Sequence, residues 1–108
     1  MVTSEEAQAI ALSFEETDQK PHFHRIAFTV KGKIFATLLA KDGTLNLMFD
    51  LQTQFIFCPP NSDVIFPVPN KWGLKGATTI DLKKANKTLV KSALLAAYNL
   101  RKEKLLRK

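Results

Sequence analysis

The sequence predicts an α+β domain of two layers, with helices packed on one five-stranded antiparallel sheet. Three observations indicate this class. A capped amphipathic helix opens the chain, runs of alternating apolar residues follow across short glycine turns, and a long helical period closes it. The 108 residues suit a single domain spanning 1–108, with the elements in the order α-β-β-β-α-β-β-α.

The first helix is predicted over Ser4–Phe14. Thr3 and Glu6 have the spacing of a capping box, in which each side chain bonds the other residue's backbone amide. Apolar residues then recur at helical spacing, at Ala7, Ile10, Ala11 and Phe14. The segment EETDQKP that follows, residues 15–21, is predicted to be a polar connector.

Three strands are predicted to form an antiparallel meander, over His22–Val30, Lys33–Leu39 and Thr44–Phe49. The first and third alternate apolar residues with smaller or polar ones, as a strand with one buried face does. Tight turns join the strands at Lys31-Gly32 and Asp42-Gly43, where glycine supplies the positive φ that such turns need. Lysines therefore stand at or beside both turns, at Lys31, Lys33 and Lys41.

A short helix is predicted over Leu51–Phe57, with Asp50 as its N-cap and Pro59-Pro60 beyond its end. A strand is the competing interpretation, because the aromatic run Phe55–Phe57 favours β structure. We predict the helix, since the capping residue and the prolines mark both of its ends.

Two strands and a helix complete the predicted domain. The strands cover residues 63–68 and 77–82, and Pro67 indicates that the first of them lies at a sheet edge or ends there. The last helix begins between Asp81 and Asn86, and its basic end forms a tail at about residues 101–108. Its apolar side holds Leu89, Ala93, Ala96, Ala97 and Leu100. Another side holds Lys87, Lys91, Tyr98 and Lys102.

Charge is unevenly distributed along the chain, whose net charge is +6. Residues 1–19 hold five acidic and no basic side chains, whereas residues 71–108 hold eleven basic against two acidic, a balance of +9. A polarised basic surface attracts polyanions such as nucleic acid. The alternative is that the C-terminal lysines form an ordinary solvated helix face that complements the helix dipole.

Two groups of residues are candidates for contact with nucleic acid. The segment KWGLKG places Trp72 between Lys71 and Lys75, so that a ring for stacking on an unpaired base adjoins cations for phosphates. The lysines of the two hairpin turns extend the same chemistry, because an ammonium binds a phosphate as a flexible point charge. The structural alternatives are a Trp72 that packs into the core and turn lysines that prevent edge aggregation.

Other functions lack their usual sequence signals. The chain contains no nucleophile elbow, phosphate loop or dinucleotide fingerprint, so no enzyme activity and no catalytic residue is predicted. His22 and His24 share one predicted strand face but have no further ligands nearby, so neither a metal nor another cofactor is expected.

The composition also bears on where the protein works. No apolar run is long enough to span a membrane, and the N-terminus is acidic where a secretory signal is basic. Cys58 is the single cysteine, which excludes an intramolecular disulfide. We therefore expect a cytoplasmic protein with no membrane or small-molecule partner.

Five stretches resemble the MmcQ/YjbR family, in the family's order and spacing. They are ALSF at residues 11–14, HFHRIAFTVKGKIFATL at 22–38, LNL at 45–47, FPVPNKWGLKGATTIDL at 66–82 and LLAAY at 94–98. The resemblance extends from about Thr3 to Leu100. It implies an α-β3-α-β2-α domain and a DNA-binding role through a double-wing arrangement.

The residues and the resemblance together predict a DNA-binding protein that contacts phosphates and has little sequence specificity. The predicted nucleic-acid-binding residues are Lys31, Lys33, Lys41, Lys71, Trp72 and Lys75. The alternative is a protein-interaction or chaperone-like domain that binds a peptide, or forms a homodimer, through its sheet face or the segment Phe55–Phe57. Exposure of that segment as one patch would favour the alternative.

Overall fold

The computed structural model describes residues 1–106, with side chains for residues 1–104. Three α-helices and six strands follow one another in the order α-β-β-β-β-α-β-β-α. The helices are α1 Ser4–Leu12, α2 Leu51–Phe57 and α3 Lys87–Leu106. The strands are β1 Thr17–His22, β2 Arg25–Val30, β3 Lys33–Leu39, β4 Thr44–Leu47, β5 Ile65–Pro67 and β6 Thr78–Asp81. Arg107 and Lys108, which belong to the predicted tail, lie outside the described residues.

One antiparallel sheet contains the six strands, in the spatial order β1-β2-β3-β4-β6-β5. One of its faces packs against the helices, where the sheet residues Phe28, Leu38 and Ile80 share a buried core with Ala7 of α1 and Leu94 of α3. The opposite face carries a row of small or polar residues aligned across four strands, Ala27, Thr37, Asn46 and Thr79. The predicted α+β class is therefore confirmed. No helix in the described part of the chain is long and apolar enough to cross a bilayer.

The structure contains one strand more than the sequence predicts. The expected connector becomes β1, which pairs with β2 from Thr17 opposite Val30 to His22 opposite Arg25. The predicted single strand over His22–Val30 is thus wrong, because the chain reverses at Phe23, whose φ is 59°. β1 is an edge strand with mostly exposed residues, so it has no apolar alternation by which a sequence pattern reveals a strand. An edge position also accommodates Pro21.

Several predicted turns and caps are confirmed. Thr3 and Glu6 form the capping box of α1, although this helix ends at Leu12, two residues earlier than predicted. Asp50 caps α2 by accepting a bond of 2.8 Å from the Thr53 amide, so the competing strand interpretation is wrong. Lys31 and Gly32 form the tight β2–β3 turn, with φ values of 51° and 81°. β5 is the other edge strand and ends at Pro67, as predicted.

The pairing of β2 with β3 shifts register by one residue. Phe28 lies opposite Ala36, but the next residue, Thr29, lies opposite Ile34, so Phe35 is an extra residue on β3. Both Phe35 and Ala36 are buried in the core as a result. Such a bulge bends a strand and redirects its backbone groups.

Tyr98 corrects the predicted polarity of the last helix. It was expected on the lysine side, yet it is only 5% exposed. Its ring centroid lies 5.0 Å from that of Phe14 and 5.7 Å from that of Phe35, and its hydroxyl donates to the Glu15 carbonyl oxygen at 2.8 Å. Because Phe14 lies beyond the end of α1, this aromatic cluster could not be read from helical spacing alone.

Candidate nucleic-acid interface

The two lysine-bearing hairpin turns lie at opposite ends of the sheet, because successive antiparallel hairpins reverse direction. Lys31 closes the β2–β3 turn and Lys33 begins β3. Lys41 lies in the β3–β4 turn, beyond the last pair of those strands, Leu39 with Thr44. The predicted group of binding residues is therefore divided, and Lys41 does not join Lys31 and Lys33.

The loop between β5 and β6 lies at the same end of the sheet as Lys31. Thr78, the first residue of β6, pairs with Leu47 at the end of β4, and Leu47 pairs with Ala36 in the first half of β3. This end, with Lys31, Lys33, Lys71, Trp72 and Lys75, is called the basic end below. Five of the six predicted binding residues meet there.

Trp72 is exposed at the basic end. It retains 60% of its accessible surface, so the alternative in which it packs into the core is wrong. The Lys75 ammonium lies 5.5 Å from the centroid of its ring, within the range of a cation–π interaction. An exposed indole beside a cation can stack on a base while the cation contacts a phosphate.

The loop that carries Trp72 is held tightly by its backbone. Gln54 of α2 is nearly buried, and its amide donates to the carbonyl oxygens of Gly73 at 2.9 Å and Ala77 at 3.0 Å. A Cβ at Gly73 would lie 1.8 Å from the Val68 carbonyl oxygen, so only glycine fits this contact. Two distant segments thus fix the position from which Trp72 projects.

A cavity of about 320 Å³ opens beside Trp72. Lys75, Arg101 and Lys104 line it together with Met48 and Asp50. Bonds from Thr53, and the nearby Lys104 ammonium, hold the pKa of the Asp50 carboxyl below its ordinary value. The Asp50 carboxylate therefore caps α2, and the other charged side chains that line this cavity, among residues 1–104, are cations.

A second cavity, of about 400 Å³, adjoins the first. Its lining includes Lys20, His22 and Lys33, and it shares Met48 and Arg101 with the first cavity. Arg101 lies between the two because its Nε donates to the Ile34 carbonyl oxygen at 3.0 Å. The shared residues make one continuous surface, called the basic strip below, formed by Lys20, Lys33, Arg101, Lys104, Lys75 and Trp72.

Three cations of the basic strip were missed as candidate site residues. Arg101 and Lys104 belong to the predicted tail, but their run of charge was interpreted as a solvated helix face. Their spacing of three residues, which places both on one side of a helix, was the available signal. Lys20 carried no signal, because its strand was predicted to be a connector.

Lys31 and Lys71 contribute less directly. The Lys31 ammonium lies 3.9 Å from a Glu16 carboxylate oxygen, and both side chains are about half exposed. Lys71 is exposed next to Trp72 but lies outside the lining of both cavities. Both residues can add positive potential to the basic strip without forming its floor.

The two histidines do not share a strand face. His22 ends β1, whereas His24 lies in the β1–β2 turn, so that prediction is wrong. Within residues 1–106, no group of three or more His, Cys, Asp and Glu side chains is arranged to hold a metal ion.

A second surface lies on α2. Phe55 is 84% and Ile56 is 70% exposed, and Leu51 on the same helix is also exposed. Phe57 instead packs against Phe49 in a tilted arrangement, with ring centroids 5.1 Å apart. The aromatic segment is therefore exposed only in part, through its first two residues.

Comparisons of the chain with protein-family models, with curated proteins and with solved structures found no match.

Proposed function

We propose that this protein binds nucleic acid through the basic strip. The observation that most supports the proposal is the exposed Trp72 ring at one end of a continuous row of cations. Lys75 and Lys104 contact phosphates beside the stacked base, and Arg101 can bind a phosphate with two parallel bonds. The ring needs an unpaired base for stacking, so single-stranded DNA is the preferred form.

Little sequence specificity is expected from this chemistry. Phosphates are common to all sequences, and every base offers a π face to Trp72. The proposal agrees with the DNA-binding role that resemblance to the MmcQ/YjbR family implies. It differs from a pair of lysine-tipped wings, because Lys41 lies at the other end of the sheet.

A titration with single-stranded and duplex DNA across a range of salt concentrations tests the proposal. Contact with about five phosphates of a single strand predicts a slope of about −3.5 for log affinity against log salt. Single strands should bind more tightly than duplex. A flat salt dependence, or no binding at low salt, would exclude the proposed function.

We propose self-association through α2 as a second candidate function, because Phe55 and Ile56 form an exposed apolar pair. The occupant we infer is a second copy of this chain. Residues 51–62 contain no charged side chain, whereas the whole chain carries +6. Two like-charged copies repel one another least where neither is charged.

Sedimentation equilibrium at increasing protein concentration tests self-association. Phe55→Ser should lower the dimer fraction relative to the native chain. Phe23→Ser is the matched control, since Phe23 is 91% exposed in a turn outside α2. A monomer at all concentrations, or an equal response to both substitutions, would reject this candidate.

A further inference from the structure

We infer that the cavity of the basic strip next to β1 binds a terminal phosphate monoester of a nucleic-acid strand. This cavity, called the phosphate recess here, is lined by Lys20, His22, Lys33 and Arg101 on its polar side. The inference rests on the proposed function. It specifies the chemical group of the nucleic acid that is bound at this end of the basic strip.

The composition of the phosphate recess suits a dianion. Eight residues line it in the described part of the chain, and none of them is acidic. Three are cations and His22 adds a further hydrogen-bonding side chain. The bond from Arg101 Nε to the Ile34 carbonyl uses only one of the five N–H donors of the guanidinium. Donors and positive charge therefore converge on one small volume.

The basic strip also stops at this recess. The residues at the start of β1 and just before it are acidic, and Glu15, Glu16 and Asp18 lie within four positions. Asp18 lies two residues before Lys20 on the same strand, so both side chains belong to the same face of the sheet. A strand that continued across β1 would bring its phosphates next to these carboxylates.

A strand that ends in the recess avoids that repulsion. A terminal phosphate carries about −1.5 to −2 charges near neutral pH, whereas an internal diester carries one. The larger charge gains more from three cations in one cavity. Trp72 at the other end of the strip would then stack on a base inside the strand, and the two contacts together define a strand end.

The test compares short single-stranded oligonucleotides of one sequence, labelled internally, with a 5′-phosphate, a 3′-phosphate or hydroxyl groups at both ends. We expect one phosphorylated form to bind about tenfold more tightly than the hydroxyl form, because charge-assisted hydrogen bonds are added. The quantity of interest is the ratio of the two affinities, in which a general loss of positive charge cancels.

The decisive variant is Lys20→Gln combined with Lys33→Gln, which should bring that ratio to about one. Lys41→Gln combined with Lys91→Gln removes the same charge outside the strip and should preserve the ratio. Both control lysines are exposed, one in the β3–β4 turn and one on α3. A ratio that falls equally in both double variants would overturn the inference.

Further outcomes separate this inference from the proposed function. Salt-dependent binding of all oligonucleotides with a native ratio of one would overturn the phosphate recess and keep the basic strip. A free mononucleotide and inorganic phosphate are titrated in parallel by calorimetry. If they bind in a Lys20- and Lys33-dependent manner while no oligonucleotide binds, the recess is a site for free phosphate compounds, and both the inference about strand ends and the proposed function are excluded. No binding of any of these probes overturns both.

Discussion

At the scale of single residues, Trp72 combines exposure with a fixed setting. Its ring is open to solvent, yet Gln54 and the Gly73–Val68 contact hold the backbone on which it stands. Because the backbone is already held, no backbone conformational entropy has to be lost when a base stacks on the ring. The segment KWGLKG alone predicts neither the exposure of the ring nor the contacts that hold its backbone, because both depend on residues outside this segment.

Trp72→Ala should weaken binding of single-stranded DNA by about 1–3 kcal/mol, the usual worth of one base–aromatic stack. Duplex binding should change much less, since paired bases are not available to the ring. Fluorescence anisotropy with both forms measures the difference. Leu74→Ala is the control, as Leu74 lies in the same loop and is even more exposed than Trp72. An equal loss for the two DNA forms would show that Trp72 does not stack.

Glu6 illustrates how one carboxylate stabilises the fold. A hydrogen bond from Lys87 of α3, 2.8 Å away, together with the Thr3 backbone amide, lowers the pKa of Glu6 from 4.5 to about 2. Because the folded pKa lies below the unfolded one, this contribution is present above about pH 4.5 and is lost as the pH falls towards 2.

Glu6→Gln should therefore destabilise the protein near neutral pH, and the difference from the native chain should shrink below about pH 4.5 and vanish below about pH 2. Urea unfolding at a series of pH values measures this. Glu5→Gln, an exposed neighbour in the same turn of α1, controls for the loss of a charge near the helix N-terminus. A difference that persists at the acidic limit would contradict the assignment.

At the scale of secondary-structure elements, the sequence predicted those features that depend on interactions between residues close together in the chain. The capping box of α1 and the Asp50 cap of α2 are interactions over three residues, and both were predicted from spacing. β1 was missed because its partner, β2, supplies the pairing and its own residues are exposed. The bulge at Phe35 has no local signal either, since it depends on which residue of β2 lies opposite.

The loop and α2 depend on each other through Gln54. Gln54→Leu would remove one of the two donors to each of the carbonyl oxygens of Gly73 and Ala77, which would keep only a backbone amide donor. We expect the loss of these two hydrogen bonds to make unfolding easier by about 1–3 kcal/mol. DNA affinity should fall as well, because the backbone beneath Trp72 loses its support. Gln52→Leu, at an exposed position of α2, is the control for added apolar surface, measured by chemical denaturation. Equal effects would show that the two hydrogen bonds are not needed.

At the scale of the whole molecule, the basic strip is assembled from four parts of the chain. Lys20 comes from β1, Lys33 from β3, Lys75 from the loop before β6, and Arg101 with Lys104 from α3. A count of charges along the sequence indicated that a basic surface exists. It could not show that Lys20 belongs to the basic strip and Lys41 does not, because the direction of the strands and their order in the sheet determine where each lysine lies.

The position of the basic strip predicts which lysines contribute to DNA binding. Lys75→Gln combined with Lys104→Gln should make the salt slope for single-stranded DNA shallower by about 1.4, which corresponds to two phosphate contacts. The combination of Lys41→Gln and Lys91→Gln has the same net charge and should leave the slope unchanged. The slope of log affinity against log salt concentration is measured for each variant by titration at several salt concentrations. The same slope in both double variants would mean that net charge, not the strip, governs binding.

The extra residue on β3 links the interior of the domain to its ligand surface. The Phe35 ring fills the core beside Tyr98, and the carbonyl of the preceding residue, Ile34, anchors Arg101. A ligand that immobilises Arg101 should therefore restrain the backbone at the bulge on β3. Amide hydrogen exchange at residues 34–36 should slow when the protein is saturated with DNA. Ligand binding at the surface would then reduce local opening of the backbone next to the core.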